Sequence, residues 1–417
     1  MRLHRHSFFS LVFSLVGRRA RITLRASVAA AALAGCSTPS GGGADAGPPD
    51  LWYAAADLAE PPDMSADLAP FQPGAHVPMP QIPGRGGPVL GALKLITITF
   101  SDDANAAMEE SFGDWSVKSP WLATAAEYGV ASGAHMSKVR VPMTAPTTVT
   151  QTDVVNFLLA KLGDGTLPKP ADDASGYLFA VYYPRTTQLS VPDKFFCQQF
   201  AGFHGEAKLG MVRFAFAAIG DCPTYISSFT EAENIQRGAA QELIAAATNP
   251  FPTTAPAYFT TDTTNPWSYY GGEVSDVCPP RQVFRDSGFL AQRYFSNGAA
   301  QAGRDPCVPA PADLVYYNTA VSPAVTQIIP AGMSATFELQ GFSAAPTTLW
   351  ALQASRMAGD FAPTSQLDVA NMQNGGRGHL TVTVPAGTPP GKFALIQLLS
   401  VHTTTEYHVW PVAVRSQ

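Results

Sequence analysis

Three apolar runs limit the fold of this chain more than anything else in it: residues 93–100 (LKLITITF), 177–183 (YLFAVYY) and 211–219 (MVRFAFAAI). A strand with one face in water alternates apolar and polar residues, whereas a near-continuous apolar strand is covered on both faces. The covering layer is helical in pattern. Residues 104–112 and 120–128 carry helical patterning, and Thr150 to Asp153 forms a relaxed capping box for a helix running to about 162. Val154, Phe157, Leu158 and Leu162 fall on one side of it, and Thr230 to Glu233 caps a further helix from 231 to about 247. A short strand is expected at 138–141. Strands alternating with helices predict an α/β domain over residues 91–315.

From about residue 322 the pattern changes. Apolar residues recur with period two (Ala335, Phe337 and Leu339; Leu380, Val382 and Val384), and turn clusters at 374–378 and 386–391 separate the runs. Short strands at this spacing over 322–417 predict an all-β sandwich of immunoglobulin or fibronectin type. Its histidines, His379, His402 and His408, read as surface or strand residues.

At the other end, Arg18, Arg19, Arg21 and Arg25 precede an apolar run at 26–34 that is too short to span a bilayer. It closes on Leu33-Ala34-Gly35-Cys36, which resembles the lipobox of bacterial lipoproteins. That resemblance implies removal of residues 1–35 as a signal peptide and a diacylglycerol on Cys36. With Ser37 next in the chain, it also implies passage to the outer membrane. Residues 36–90 then read as a tether. Eleven prolines, six acidic residues and one arginine between 37 and 88 leave too little apolar surface to offset the entropy of ordering. Removing the leader takes six of the 26 basic residues, leaving 20 against 32 acidic ones, net −12. An acidic chain without basic runs lacks the electrostatic footing of a nucleic-acid binder.

Cys197, Cys222, Cys278 and Cys307 remain after that cut, and export exposes them to oxidation. Their spacing matches no zinc knuckle. Of three possible connectivities, the sequential pairs Cys197–Cys222 and Cys278–Cys307 are expected.

The chemistry centres on residues 238–251 (GAAQELIAAATNPF), a small-residue helix with one carboxylate, Glu242, that stops at Asn249-Pro250. A zinc helix of the H-E-x-x-H type needs imidazoles at i and i+4. Those positions hold Gln241 and Ala245. Around the helix lie 195–206 (FFCQQFAGFHGE), 219–222 (IGDC), 265–278 (NPWSYYGGEVSDVC) and 290–297 (LAQRYFSN). This order, over roughly 93–307, resembles a group of secreted bacterial zincin-like proteins and, more distantly, the exordium (phosphate-induced) family. In that pattern a helix reading H-E-x-x-E-A-x-T-[DN]-P is followed by a G-E-x-x-D-x-C loop and a Q-R-Y-W-S-N-like stretch. Glu242 falls on the helix glutamate, and Ala246, Thr248, Asn249 and Pro250 on the helix end. Gly272, Glu273, Asp276 and Cys278 fall on the loop. Gln241 stands in the histidine position, Ala245 in that of the second carboxylate, and Phe295 in that of the tryptophan.

Those losses bear on mechanism. A catalytic zinc is held by three protein ligands, and without it no water is acidified for a glutamate to deprotonate. Zinc is therefore expected to be lost and no cofactor is assigned; Glu242 reads as a carboxylate hydrogen-bonded to the following loop or as a relic base. The oxygen donors Glu242, Glu273 and Asp276 would suit calcium better than zinc. A cleft is expected around Gln241, Glu242, Glu273, Asp276, His204 (which glycines flank) and Trp267, able to hold a peptide or glycan. The plainer alternatives are a turn cap for Glu273 and Asp276, a structural histidine, and core packing for Trp267, Tyr269 and Tyr270. Asp102 and Asp103 follow the first strand but point in different directions, which does not suit paired-carboxylate hydrolysis.

The expectation is an outer-membrane lipoprotein, bound to lipid through Cys36, whose degenerate zincin-like domain binds or supports without catalysing. One alternative is a divergent zinc peptidase that recruits His204 or His135 with Glu273. Another is an adhesive or structural surface protein, for which a filled surface over Glu242 is the sign.

Overall fold

Burial on both faces, read from the run at 93–100, is realised in strand β1 (Ala92–Phe100), where every residue from Leu95 onward is buried. The computed structural model describes residues 70–173, 176–192, 194–403 and 406–417; the expected signal peptide and lipidation site Cys36 lie outside them. Chain order continues α1 (Ala106–Ser116), α2 (Pro120–Ala123), β2 (Ala131–Val141), β3 (Thr148–Thr150), α3 (Gln151–Gly163) and β4 (Tyr177–Tyr183). Next come β5 (Gln188–Ser190), β6 (Gly202–Leu209), β7 (Val212–Gly220) and α4 (Glu231–Thr248). The three apolar runs lie side by side in a sheet ordered β2-β1-β4-β7-β6. Its first four strands are parallel, and β6 closes the edge antiparallel to β7.

Each face has its own core. Leu178, Ala180, Ala215, Ala217 and Ile219 pack with Ala239, Ala240 and Leu243 of α4, while Phe179, Val181 and Phe216 pack with Val154, Leu158 and Leu162 of α3. Helix α4 starts where its cap residues require. Thr230 accepts from the Glu233 amide and the Glu233 carboxylate accepts from the Thr230 amide at 2.8 Å, closing a capping box.

Short elements follow: β8 (Val283–Asp286), β9 (Phe289–Gln292), β10 (Tyr294–Phe295), α5 (Asn297–Gln301) and β11 (Cys307–Val308). Then come β12 (Tyr317–Ser322), β13 (Gln327–Ile329), β14 (Ser334–Ser343), β15 (Trp350–Gly359) and β16 (Thr364–Leu367). The chain ends with β17 (Asn371–Met372), β18 (Arg377–Thr383), β19 (Phe393–Val401) and β20 (Tyr407–Ser416). These form a four-stranded sheet, β12-β14-β18-β16, and a five-stranded one, β13-β20-β19-β15-β17. Phe337, Leu339, Leu380 and Val382 from one and Ile396, Leu398, Trp410 and Val412 from the other share one core with the α4 face of the first sheet. Trp267 is a joint in it, edge-on to Trp410 at 5.5 Å between ring centroids.

The expected fold class, an α/β zincin-like domain followed by a sandwich, is corrected by this architecture. Among the described residues strand makes up 38% and helix 17%, so this part of the chain is mostly β, in several sheets. Two local features show why the pattern misled. Only 138–141 was expected as strand, yet β2 runs over all of Ala131–Val141, alternating in exposure as an edge does. And β6, with His204 in it, has a mixed sequence that gives no continuous apolar signal.

Residues 72–90, expected as part of the tether, are packed on the body. From Gln72 the chain lies along the body: Asn374 Nδ2 donates to the Gln72 carbonyl at 2.8 Å, and the His76 ring stacks on Phe342 at 3.9 Å. Further on, Ile82 exchanges two hydrogen bonds with the Asn297 side chain, and Met79, Ile82 and Leu90 are buried. Composition alone hid this, because three apolar anchors suffice when side-chain amides take up the backbone groups between them.

Candidate functional site

Two close approaches build the centre. His204 sits on β6 opposite Ala217 of β7, and its neighbour Gly202 lies against α4. A Cβ on Gly202 would come within 3.0 Å of Glu242 Cγ and 2.7 Å of the Ala218 carbonyl, so only glycine lets the edge strand come this close to the helix. On the far side, a Cβ on Gly271 would strike Asp276 at 2.1 Å and one on Gly272 would strike Phe259 at 2.0 Å. The Gly-Gly pair thus folds the loop back on itself, and the Cys278–Cys307 disulfide pins its end. The second bridge joins Cys197 to Cys222. Both pairings are the sequential ones expected.

His204 lies beside α4, between two carboxylates. Its Nδ1 stands 3.6 Å from Glu242 Oε2 and its Nε2 3.5 Å from Glu273 Oε1. These are ion-pair separations, longer than good hydrogen bonds. The three side chains are only 9–11% exposed. Burial alone would push the His204 pKa down, but Glu273 and Glu242 at its two edges outweigh burial and hold it well above the ordinary histidine value. That direction favours the imidazolium, which donates at both nitrogens and ligates at neither, although Nε2 makes no hydrogen bond within the protein.

The polar neighbours finish the arrangement. Asn249, which ends α4, donates from Nδ2 to Glu273 Oε1 at 2.6 Å. Gln241 Nε2 donates to Asp276 Oδ1 at 3.3 Å, and Gln241 Oε1 accepts from Arg237 Nη1 at 3.0 Å. Arg237 is 1% exposed, lies face-on to Tyr225, and also donates to Gln292 Oε1 at 2.7 Å. Burial lowers the pKa of Lys194, with Asp276 and Glu242 acting in the opposite direction. Asp276 is pushed up to about 7, by burial first and then by Glu273 and Glu242. Glu242 thus lies within electrostatic reach of His204, Lys194 and Arg237, Glu273 of His204, and Asp276 of Lys194 and His204.

This geometry bears on ions directly. The two carboxylates flank opposite nitrogens of one ring, so no single ion reaches His204 and both of them. Among the described residues, no group of three or more histidine, cysteine, aspartate or glutamate side chains is arranged to hold a metal. His135 is elsewhere: it lies on β2, and its Nδ1 pairs with Asp114 of α1 at 2.9 Å. Gln241, Glu242, Glu273, Asp276 and His204 are brought together, whereas Trp267 is core. Tyr269 stacks on Phe393 at 5.1 Å and Tyr270 is buried. Arg237, Lys194 and Gln292 were not anticipated. Of these, Arg237 carried a signal, being one helical turn before Gln241 on the same face.

Asp103 joins a second acidic cluster. Burial raises its pKa, and raises that of Glu109 further with help from Asp103. Asp221 is pushed up to about 7 by burial and by Glu231.

No family model and no curated protein matches the chain. Among solved structures, a conjugative transposon lipoprotein from Bacteroides eggerthii aligns at 10% identity and TM-score 0.20, over 24% of this chain and 95% of that one. Domains 4 and 5 of the S-layer protein SbsC align at 16% identity and TM-score 0.18, over 24% of this chain and 52% of that one. This chain thus spans about half of that domain pair. The CsuC-CsuE chaperone–adhesion subunit complex of Acinetobacter baumannii aligns at 15% identity and TM-score 0.18, over 24% of this chain and 57% of that one. Each alignment takes in only a quarter of the chain, so the functional reading rests on the side chains.

Proposed function

We propose that this chain is an exported, envelope-anchored protein with a structural or adhesive role, whose α4 centre is an ion-pair lock and not a reaction site. The observation that carries the reading is the insertion of His204 between Glu242 and Glu273. An imidazolium held at both edges by carboxylates can neither bind a divalent ion nor act as a base. The buried Arg237, one turn from Gln241, opposes a divalent cation as well. Two disulfides suit an oxidising compartment, and the proposed lipid on Cys36 would supply the anchor.

Two measurements test this. Elemental analysis of the purified chain should find no stoichiometric zinc, and adding zinc should not produce cleavage of a fluorogenic casein; stoichiometric zinc with chelator-sensitive cleavage would overturn the reading. For the anchor, the natural chain expressed in a bacterium should partition into detergent on phase separation and Cys36→Ala into the aqueous phase. Identical partitioning of the two would remove the lipid from the account.

A further inference from the structure

We propose that residues 72–90 form a force-released strap: tension on the chain ahead of Gln72 peels them from the body in order, adding reach while the sheets stay folded. The inference rests on the anchored reading above for its use, since an anchor is what would apply the tension. The opening itself needs no lipid, so the partition of Cys36→Ala and the test below can fail separately.

The strap is held at separate points. Pro73, Pro78, Pro80, Pro83 and Pro88 have no amide hydrogen to give to a ladder. Among the described residues the strap joins no sheet, and it meets Tyr258 in an isolated bridge at Gly84. At its start the Asn374 side chain makes two bonds: Oδ1 accepts from the Gly74 amide at 2.6 Å and Nδ2 donates to the Gln72 carbonyl at 2.8 Å. The His76 ring then stacks on Phe342, 3.9 Å between centroids, and Met79 is buried. Midway, the Asn297 side chain repeats the exchange with Ile82, at 2.8 Å in both directions. Beyond it the Arg85, Gly87 and Leu90 amides donate to the carbonyls of Ala257, Pro256 and Ala247. Between these holds Pro78, Gln81, Gly84 and Gly86 are exposed.

The element that follows is built the other way. Strand β1 lies between two parallel neighbours, paired with β2 from Ala92 to Phe100 and with β4 from Lys94 to Ile98. A pull arriving along its axis is shared by both ladders at once, whereas a pull arriving at Gln72 falls on one hold at a time. Attachments that break singly open at lower free energy than a cooperative sheet. The strap therefore yields first, and β1 stops the opening. Fully extended, residues 72–90 reach about 65 Å.

The test is optical-tweezers pulling on the purified full chain, with handles on short tags at its two ends. A reversible low-force step, lengthening the molecule by up to about 65 Å, should precede rupture of the body. Asn374→Ala and His76→Ala should each lower the force of that step and leave the later rupture unchanged. Asn374 Oδ1 also accepts from the Ser343 amide, so if Asn374→Ala disturbs the sandwich, His76→Ala decides. Without force, the Gly74 and Ile82 amides should exchange with solvent about tenfold or more faster than those of Ile96 and Ile98 in β1. Rupture of the body as the first event, a low-force step that His76→Ala leaves unchanged, or strap amides exchanging at the rate of β1 would each overturn the proposal.

Discussion

Asn249, at the end of α4, orients Glu273 across 24 residues of sequence: its Nδ2 donates to Glu273 Oε1 at 2.6 Å, and its Oδ1 accepts from the Ala257 amide at 2.8 Å. One fully buried amide therefore ends the helix, fixes the returning chain and aims a carboxylate at His204. Asn249→Ala strands the Ala257 amide and frees the carboxylate. A loss of about 2–3 kcal/mol in urea unfolding is expected, with Asn249→Asp no better, because it places a second carboxyl beside Glu273.

Removing the imidazole has a larger effect. His204→Ala leaves Glu242 and Glu273 facing each other at about a tenth exposure. Breaking a buried ion pair from one side costs about 3–5 kcal/mol. In the His204→Ala background, adding Glu242→Gln should recover part of the loss. That non-additivity, read in a double-mutant cycle from urea melts, separates an ion-pair lock from simple packing.

The pH profile has a definite sign. Asp276 and Asp221 are both raised to about 7 in the folded protein from an ordinary 3.8. At these two sites the folded state holds protons that the unfolded chain has released, which lowers stability as pH climbs between about 4 and 7, while His408, pushed down to about 4 by burial, acts in the opposite direction between about 4 and 6.5. His204 is also raised, so its contribution is full below about 6.5 and is lost as pH rises through its higher folded value. Asp276→Asn should flatten the first part of the curve and His204→Gln the alkaline part. Chemical melts at stepped pH on the natural protein and both variants decide it, and an Asp276→Asn curve running parallel to the natural one from about pH 4 to 7 would contradict the assignment.

The strands of the central sheet were legible because LKLITITF and YLFAVYY can only be buried, and the starts of α3 and α4 because Thr150–Asp153 and Thr230–Glu233 form capping boxes. Much of the acidic centre was legible too, since Glu242, Glu273 and Asp276 sit beside glycines and a helix stop. What could not be read was long-range. That β6 lays its edge on α4, setting His204 between Glu242 and Glu273, depends on the clearance at Gly202, a property of two elements together. The docking of residues 72–90 depends likewise on amides of Asn297 and Asn374, more than 200 positions away in sequence.

The disulfides act on the unfolded chain. Cys278–Cys307 closes a separation of 29 residues and Cys197–Cys222 one of 25. Replacing either pair by alanine is expected to lose about 3–4 kcal/mol from restored chain entropy. The two effects should differ in what else they release: loss of Cys278–Cys307 frees the Glu273 loop and should raise amide exchange at Gly272 to Asp276, while loss of the other pair should not.

The most direct test is the protonation state of His204, read by nitrogen NMR of the imidazole in the purified chain across a pH titration. An ion-pair lock requires both ring nitrogens to carry protons at about pH 7, with a midpoint well above the ordinary ~6.5 of histidine. A neutral ring at that pH, or a nitrogen shift showing metal coordination, would contradict it and reopen the α4 centre as a reaction site.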